Sequence, residues 1–287
     1  FTLMALKAIR EGYPDRTLVL GGVGAKGVEE KVLQLCPWID VIAVGEGERT
    51  GPELVQALKQ KTDLTRVPGL VVRGKDGTIT RTPMRERVQN LDTLPFPAFD
   101  RIDLSRYQGY GLMTSRGCPY PCTFCSVAPV WDRVSTFRSN ENILQEMKLL
   151  KERAGVKLFL FQDEFFVCSK EKVLSFCRDL KAAKLDVYWK AFGRVDMTDR
   201  EMMEAMAGAG CVELRFGIES GCDRILKLVK KGFTAEQAIT RVSEAVQLFP
   251  RVDAFYMWGF PFETMEDFQQ TLFQMVSLRM MGARILP

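Results

Sequence analysis

The chain has 287 residues, with 40 Lys and Arg against 36 Asp and Glu, eight Cys and no His. The absence of His excludes a Ser-His-Asp triad, a Cys-His nucleophile pair, a Cys2His2 zinc finger and His-ligated haem. Apolar residues make up 46% of the chain and charged residues 26%, which is typical of one large or two ordinary globular domains.

Charge and cysteine content narrow the class of protein further. A net charge of +4 with dispersed basic residues does not indicate nucleic-acid binding. No apolar stretch reaches the roughly 18 residues of a membrane span, and the start at Phe1 shows no secretory signal pattern. Eight Cys are too few for a disulfide scaffold, so we expect a cytoplasmic, reducing setting in which clustered Cys indicate metal or redox chemistry.

The first part of the chain alternates short apolar runs with amphipathic stretches. Strands are predicted at 17–20 and 40–44, each ending in a Gly-rich turn, and helices at 28–35 and 52–61. This order is typical of an open parallel sheet. Residues 1–61 are too few for a complete doubly wound domain, so we expect the chain to enter such a domain midway.

Residues 62–108 are interpreted as a linker that contains a β-hairpin at 70–80. From residue 109 a βα repeat resumes, in which every predicted strand precedes a predicted helix. The strands are predicted at 111–114, 156–161, 187–191, 212–216 and 254–258, and the helices at 140–153, 170–184, 199–208, 234–248 and 265–281. This pattern predicts a parallel sheet that forms a barrel or part of one. A sixth strand begins at 284, and we expect the chain to be cut at both ends.

The chemistry-bearing motif is Cys-x3-Cys-x2-Cys, formed by Cys118, Cys122 and Cys125 directly after the first strand of the repeat. In a parallel βα architecture this is the carboxyl end of a strand, where active sites are built. Cys thiolates are the usual ligands of iron-sulfur clusters. Three thiolates on a four-iron cluster leave one iron open to bind a substrate or cofactor.

A zinc site and a redox pair are the two other uses of these cysteines. A zinc site needs a fourth ligand, and structural sites usually join two close pairs of Cys, whereas no second close pair exists here. A thioredoxin-type pair of Cys122 and Cys125 leaves Cys118 without a role. The other cysteines after this motif are interpreted as buried apolar residues rather than ligands; they are Cys168, Cys177, Cys211 and Cys222.

With Phe124 before its last Cys, the motif resembles the signature of the radical S-adenosylmethionine (SAM) superfamily. Four further segments follow in the order and spacing of that superfamily, each at the end of a predicted strand. They are 161–165, 193–196, 217–221 and 259–264. The resemblance covers residues 110–287 and implies a partial (βα)6 radical SAM barrel of the α/β class over residues 109–287, ending at the sixth strand, with a 4Fe-4S cluster and SAM as cofactors.

The resemblance also implies which side chains meet SAM. They are Phe124, Asp163, Glu164, Arg194, Glu219, Ser220, Gly259 and Pro261. Carboxylates suit the ammonium of SAM and a guanidinium suits its carboxylate, whereas Glu219 and Ser220 suit ribose hydroxyls. Structural roles stay open: a solvated strand end for the acidic pair, an ion pair of Arg194 with Asp196, and capping of the next helix at 219–220.

The N-terminal part resembles the last third of the cobalamin-binding domain found in a subfamily of radical SAM enzymes. The candidate cobalamin residues are Gly21, Gly22, Gly45, Glu46 and Gly47. Glycines there let a bulky tetrapyrrole approach the backbone. Gly24 stands where the subfamily usually has a His, so no imidazole from this chain can reach cobalt. The alternative is a Rossmann-like remnant that supports the barrel without binding cobalamin.

These features predict a radical SAM enzyme, a C-methyltransferase or cyclase acting on a small or secondary metabolite, with an electron donor such as flavodoxin or ferredoxin. The radical SAM cofactors carry the chemistry and the protein orients them. One alternative is a tRNA methylthiotransferase, which needs a second Cys-ligated cluster, yet only Cys36 precedes Cys118. Another is a non-enzymatic iron-sulfur protein, in which the SAM motifs would have no task.

Overall fold

The computed structural model describes residues 1–107 and 109–287, and only the backbone of residues 128 and 129. The chain divides into two compact units, 1–89 and 90–287, each with its own apolar core. The three-part division at residues 61 and 108 stays a prediction. Among the described residues, no helix is both long enough and apolar enough to cross a membrane.

The first unit is a small sheet with helices. Its elements are α1 (Thr2–Gly12), β1 (Val19–Leu20), α2 (Glu29–Leu35), β2 (Val41–Ala43), α3 (Gly47–Gln60), β3 (Leu70–Arg73) and β4 (Ile79–Arg81). The strand order is β1-β2-β3-β4. The first two strands pair in parallel, whereas the hairpin of β3 and β4 joins them antiparallel. The hairpin expected in a linker therefore completes this sheet.

The second unit is built around a parallel sheet flanked by helices. Its elements are β5 (Tyr110–Leu112), β6 (Ser115–Arg116), α4 (Val127–Val130), β7 (Thr136–Phe137), α5 (Asn140–Ala154), β8 (Leu158–Phe161), α6 (Lys170–Ala182), β9 (Tyr188–Gly193), α7 (Arg200–Gly208), β10 (Cys211–Glu219), α8 (Asp223–Leu228), α9 (Ala235–Leu248), β11 (Arg251–Tyr256), α10 (Met265–Met280) and β12 (Arg284–Leu286). The large sheet has the order β12-β11-β10-β9-β8-β5. All neighbouring strands of this sheet pair in parallel, which confirms the predicted parallel sheet. In the described residues the sheet stays open rather than closing into a barrel.

Local chemistry explains these elements. Helix α9 starts with a capping box between Thr234 and Gln237, and α10 with one between Thr264 and Asp267, so both helices begin where the sequence pattern predicts. The helix-facing side of the sheet packs aromatic rings, and the ring centroids of Phe161 and Trp189 lie 5.1 Å apart. Burial of such rings supplies much of the driving force for packing the helices on the sheet.

The sequence pattern missed several elements. Helix α3 begins at Gly47, before the start that was predicted at Pro52. The sequence pattern predicts this proline as the first residue of the helix, but it lies inside it. The short helices α4 and α8 and the two-stranded ribbon of β6 and β7 were not predicted, and helix α1 was predicted without bounds. The carboxyl ends of β5, β8, β9, β10 and β11 nevertheless meet at one edge of the sheet, where all the predicted SAM segments lie.

Candidate functional site

The three cysteines lie on a loop between β6 and α4, which we call the cysteine loop (residues 117–125). Gly117 opens it with a φ of +89°, and an added Cβ would lie 2.3 Å from the carbonyl oxygen of Val134. The hydroxyl of Ser135 donates to the carbonyl of Gly117 at 3.1 Å. Only glycine therefore fits this turn, which brings the cysteines back over the sheet edge.

The three thiols are half-buried, and Cys118 lies close enough to Cys122 and Cys125 to interact with both electrostatically. Burial raises the pKa of Cys118, the neighbouring thiols of Cys122 and Cys125 raise it further, and Arg194 opposes them. Nη1 of Arg194 lies 3.8 Å from Sγ of Cys122. Closely placed thiols beside a fixed cation suit an anionic metal cluster.

The spacing of the thiols bears on the kind of metal site. In the described residues, no group of three or more His, Cys, Asp or Glu side chains is placed to hold a single metal ion. A four-iron cluster makes a different demand, because each cysteine binds a separate iron at its own corner of the cluster.

A short turn, residues 229–231, contacts the middle of the cysteine loop. The amide of Thr123 donates to the carbonyl of Val229 at 3.2 Å. Sγ of Cys122 lies 3.8 Å from the carbonyl oxygen of Lys230, and Nη2 of Arg194 donates to the carbonyl of Lys231. This 229–231 turn fixes the middle of the loop and the guanidinium beside it.

Asp163 and Glu164 brace the base of the same loop. One carboxylate oxygen of Asp163 accepts from the amide and the hydroxyl of Thr114, both at 2.8 Å, and from the hydroxyl of Ser115 at 2.6 Å. Glu164 accepts from the amide of Gly117 at 3.2 Å and from Nε1 of Trp131 at 3.1 Å. Their predicted contact with the SAM ammonium stays a prediction; the bracing is a role that sequence reasoning missed.

The environment of Asp163 is unusual for a carboxylate. The residue is 2% exposed, and burial raises its pKa to about 6. Its second oxygen, Oδ2, is buried without a hydrogen-bond partner. Burying an oxygen without a hydrogen-bond partner costs free energy. The three hydrogen bonds that the other oxygen accepts offset this cost.

Arg194 is held by several partners at once. Its guanidinium forms a bidentate pair with Asp196 at 2.9 and 3.0 Å and stacks on the ring of Tyr120 at 3.5 Å from the ring centroid. The ion pair weighed as an alternative from sequence is therefore present. The same side chain also faces Cys122, so an ion-pair role and a site role coexist; its contact with SAM stays a prediction.

The two ribose candidates point to different surroundings. Glu219 has a left-handed φ of +72°, and its Oε1 pairs with Nζ of Lys231 at 3.1 Å. The hydroxyl of Ser220 instead contacts the hydroxyl of Thr271 on α10 at 2.9 Å and accepts from the amide of Cys222 at 3.1 Å. Only Glu219 lies beside the 229–231 turn. Lys231 was missed, and its only sequence sign was a pair of Lys before Gly232 at a helix end.

The 259–264 segment offers flat rings and an unpartnered acceptor. The rings of Phe260 and Phe262 stack with centroids 5.7 Å apart, and Phe260 lies 6.1 Å from Phe124 of the cysteine loop. The amide of Gly259 donates to Oε2 of Glu263 at 2.6 Å, whereas Oε1 of Glu263 is buried without a partner. The aromatic faces suit stacking on a purine, and the unpartnered acceptor in the same segment suits its exocyclic amine. Pro261 is exposed here.

In the first unit, the cobalamin candidates follow two neighbouring parallel strands. Gly22 and Gly45 have φ of +93° and +85°, and a Cβ added at either or at Gly47 meets no atom within 4 Å. Gly21 is also exposed. Glu46 accepts from the amide of Val88 at 2.5 Å, which fixes the second turn. This edge of the small sheet is therefore open to a bulky ligand.

The chain was compared with known proteins. The family model of the radical SAM superfamily matches residues 112–275. The chain is 33% identical to an uncharacterized methyltransferase of Pyrococcus horikoshii over 89% of this chain and 56% of that protein. It is 28% identical to the anaerobic magnesium-protoporphyrin IX monomethyl ester cyclase of Rubrivivax gelatinosus over 93% of this chain and 50% of that protein.

A solved structure shows the same fold. It is the radical SAM methyltransferase TsrM from Kitasatospora setae with cobalamin and a 4Fe-4S cluster bound, which matches with a TM-score of 0.81 at 20% identity over 97% of this chain and 57% of that chain. The chain spans about half the length of the curated relatives it matches. Since the family model extends from the first strand of the large sheet into its last helix, the chain belongs to the radical SAM superfamily.

Proposed function

We propose that the chain is the catalytic core of a radical SAM enzyme that methylates or cyclises a small metabolite with the help of cobalamin. The observation that carries this proposal is the cysteine loop, which holds three half-buried thiols over the carboxyl edge of a parallel sheet. When bound, the 4Fe-4S cluster and SAM supply a 5′-deoxyadenosyl radical by reductive cleavage of the sulfonium. The remaining steps fall to residues that bind and orient.

Different residues of the chain bind the cluster and the parts of SAM. Cys118, Cys122 and Cys125 would hold the cluster, and Arg194, whose Nη1 lies 3.8 Å from Sγ of Cys122, would offset its negative charge. The rings of Phe124 and Phe260 receive the adenine, the free Oε1 of Glu263 accepts from its amine, and Glu219 accepts from the ribose. Holding the reacting atoms in one geometry removes much of the entropic barrier.

The cobalamin part of the proposal rests on two observations. Two Gly-rich turns at one edge of the first unit leave open space above the backbone, and the structurally similar TsrM is described with cobalamin bound. Since the chain contains no His, cobalt would receive no imidazole from these residues. Relatives carry both methyltransferase and cyclase names, so both reactions stay within the proposal.

The substrate is proposed to be a small metabolite, and the reductant a flavodoxin or ferredoxin. A cytoplasmic setting remains a prediction that rests on the cysteine content.

The test is reductive cleavage of SAM by the anaerobically reconstituted chain. With SAM and dithionite, we expect 5′-deoxyadenosine in amounts that grow with time. Cys122→Ala is expected to lose the cluster and the product, whereas Cys168→Ala keeps both, because Cys168 is a half-buried thiol outside the loop. Absence of 5′-deoxyadenosine from a protein whose cluster is shown to be intact would rule the function out.

Iron content and cobalamin retention separate the remaining possibilities. A four-iron cluster on the cysteine loop gives about four irons per chain, whereas a mononuclear metal site would give about one metal ion. Hydroxocobalamin that stays with the chain through gel filtration supports the cobalamin-linked reaction. Cobalamin that separates completely from a folded, cluster-loaded chain would argue against it.

A further inference from the structure

Lys231 is a buried cation that the sequence motifs do not assign. Its side chain is 6% exposed, that of Glu219 is 11% exposed, and Nζ of Lys231 lies 3.1 Å from Oε1 of Glu219. Breaking a buried ion pair by removing one partner leaves an uncompensated charge, which is strongly unfavourable. The two side chains therefore fix one another.

The backbone around Glu219 is shaped for this pair. Glu219 has a φ of +72°, a conformation that a non-glycine residue keeps only when its surroundings require it. A Cβ added at Gly217 would lie 2.6 Å from Oε1 of Glu219 and 3.4 Å from Nζ of Lys231. The carboxylate thus folds back over Gly217, and the missing side chain there makes room for the ion pair.

Lys231 also connects this carboxylate to the cysteine loop. Its carbonyl accepts from Nη2 of Arg194, and its ammonium lies 5.9 Å from the ring centroid of Phe124 and 5.6 Å from that of Phe233. The ammonium contacts Oε1 of Glu219, and among the described contacts no hydrogen bond occupies Oε2. One oxygen of the carboxylate is thereby held while the other is left to a ligand.

We propose that Lys231 is a positioning residue for SAM, which holds the Glu219 carboxylate so that its second oxygen accepts from the ribose hydroxyls. The inference rests on the proposed function, in which Glu219 is the ribose acceptor. Lys231 itself touches neither the reacting atoms nor the ribose. Its effect on SAM is exerted through Glu219.

The test measures binding of two probes to the anaerobically reconstituted, cluster-loaded chain. S-adenosylhomocysteine carries the ribose, whereas L-methionine carries only the amino-acid end. Lys231→Met is expected to weaken S-adenosylhomocysteine binding at least about tenfold, as for loss of a hydrogen bond to a charged group, and to leave methionine binding within about twofold. Lys231→Arg should restore most of the affinity, and Lys227→Met, an exposed lysine of α8, should have no effect.

A double-mutant cycle tests whether Lys231 acts through Glu219. In a Glu219→Gln background, Lys231→Met is expected to change S-adenosylhomocysteine affinity by less than about twofold, because the group that it positions is already altered. Equal affinity of wild type and Lys231→Met, or an equal loss for both probes, would overturn the inference. A wild type that loads its cluster and yields no 5′-deoxyadenosine would instead overturn the proposed function, so the two failures are distinguishable.

Discussion

Asp163 accepts a hydrogen bond from the hydroxyl of Ser115 at 2.6 Å, which joins the carboxyl end of β8 to the ribbon that leads into the cysteine loop. The same oxygen accepts twice from Thr114. Three donors bind one oxygen of this carboxylate, and the other oxygen is buried and unpartnered. These hydrogen bonds hold the backbone at the start of the cysteine loop in place. The protonation state of Asp163 should therefore be visible in the stability of the second unit.

Asp163→Asn is expected to change how stability depends on pH. The pKa of Asp163 is raised from 3.8 to about 6. A raised folded-state pKa contributes stability that is complete below pH 3.8 and is lost as pH rises through about 6. Chemical denaturation of the cluster-free chain from about pH 5 to about pH 8 should show wild type losing stability relative to the Asn variant by on the order of 1 kcal/mol, which is roughly half of the ~3 kcal/mol of the full shift. Parallel pH profiles for the two proteins would contradict this.

Gly117→Ala is expected to abolish cluster binding. The added methyl would lie 2.3 Å from the carbonyl oxygen of Val134 at a φ of +89°, so the first turn of the cysteine loop must move. Gly155→Ala is the matched control, since Gly155 also has a positive φ but a Cβ there meets no atom within 4 Å. Iron and sulfide analysis after reconstitution should find about four irons in the control and almost none in Gly117→Ala. Equal iron content would show that this turn does not shape the site.

Arg194→Gln is expected to make the cluster harder to reduce. The guanidinium lies 3.8 Å from Sγ of Cys122, and donors to cluster sulfurs raise the reduction potential. Its loss should lower the midpoint potential by roughly 20 to 60 mV, about a two- to tenfold change in the one-electron equilibrium. Spectroelectrochemistry of the reconstituted proteins measures this shift. Arg200→Gln, which removes an exposed pair with Glu204, should leave the potential unchanged; a like shift there would mean that the effect is not local.

Glu263→Ala is expected to remove recognition of the adenine amine. The unpartnered Oε1 of Glu263 suits an amine donor, and a site built for a hydrogen bond discriminates against a ligand that lacks it. Wild type should bind S-adenosylhomocysteine about tenfold or more tightly than its inosine analogue, and the variant should bind both alike. Calorimetry on the cluster-loaded protein gives both affinities. An undiminished preference in Glu263→Ala would place the adenine elsewhere.

Gly47→Val is expected to block cobalamin without disturbing the chain. A Cβ at Gly47 meets no atom within 4 Å, so the side chain enters only the space proposed for the ligand. The variant should load its 4Fe-4S cluster as wild type does and release hydroxocobalamin on gel filtration. Retention equal to wild type would exclude this edge of the first unit as the cobalamin site.

The sequence was sufficient for features that depend on local pattern. Strands β8, β9, β10 and β11 and the long helices α5, α6, α7, α9 and α10 follow from apolar periodicity and capping residues, and the cysteine loop follows from spacing. The structure adds contacts between distant residues, such as Trp131 with Glu164 and Ser220 with Thr271. No local pattern encodes these contacts, because they form only after the helices pack on the sheet.

Glu219 and Ser220 show most clearly what could not be predicted from the sequence. The family resemblance implied that both residues contact the ribose, but β10 ends at Glu219 and Ser220 lies beyond it. The left-handed backbone at Glu219 turns its carboxylate toward Lys231, whereas Ser220 packs against α10. Lys231 lies 12 residues further along the chain, and only the fold brings it to the site.

The most direct test of the account is Mössbauer spectroscopy of the chain reconstituted with 57Fe, recorded with and without SAM. Three cysteine ligands leave one iron of a 4Fe-4S cluster free to bind SAM. We therefore predict that SAM shifts the signal of about one quarter of the iron and leaves the rest unchanged. Four irons that do not respond to SAM, or a mononuclear metal signal, would contradict the assignment of Cys118, Cys122 and Cys125 as the ligands of a SAM-binding cluster.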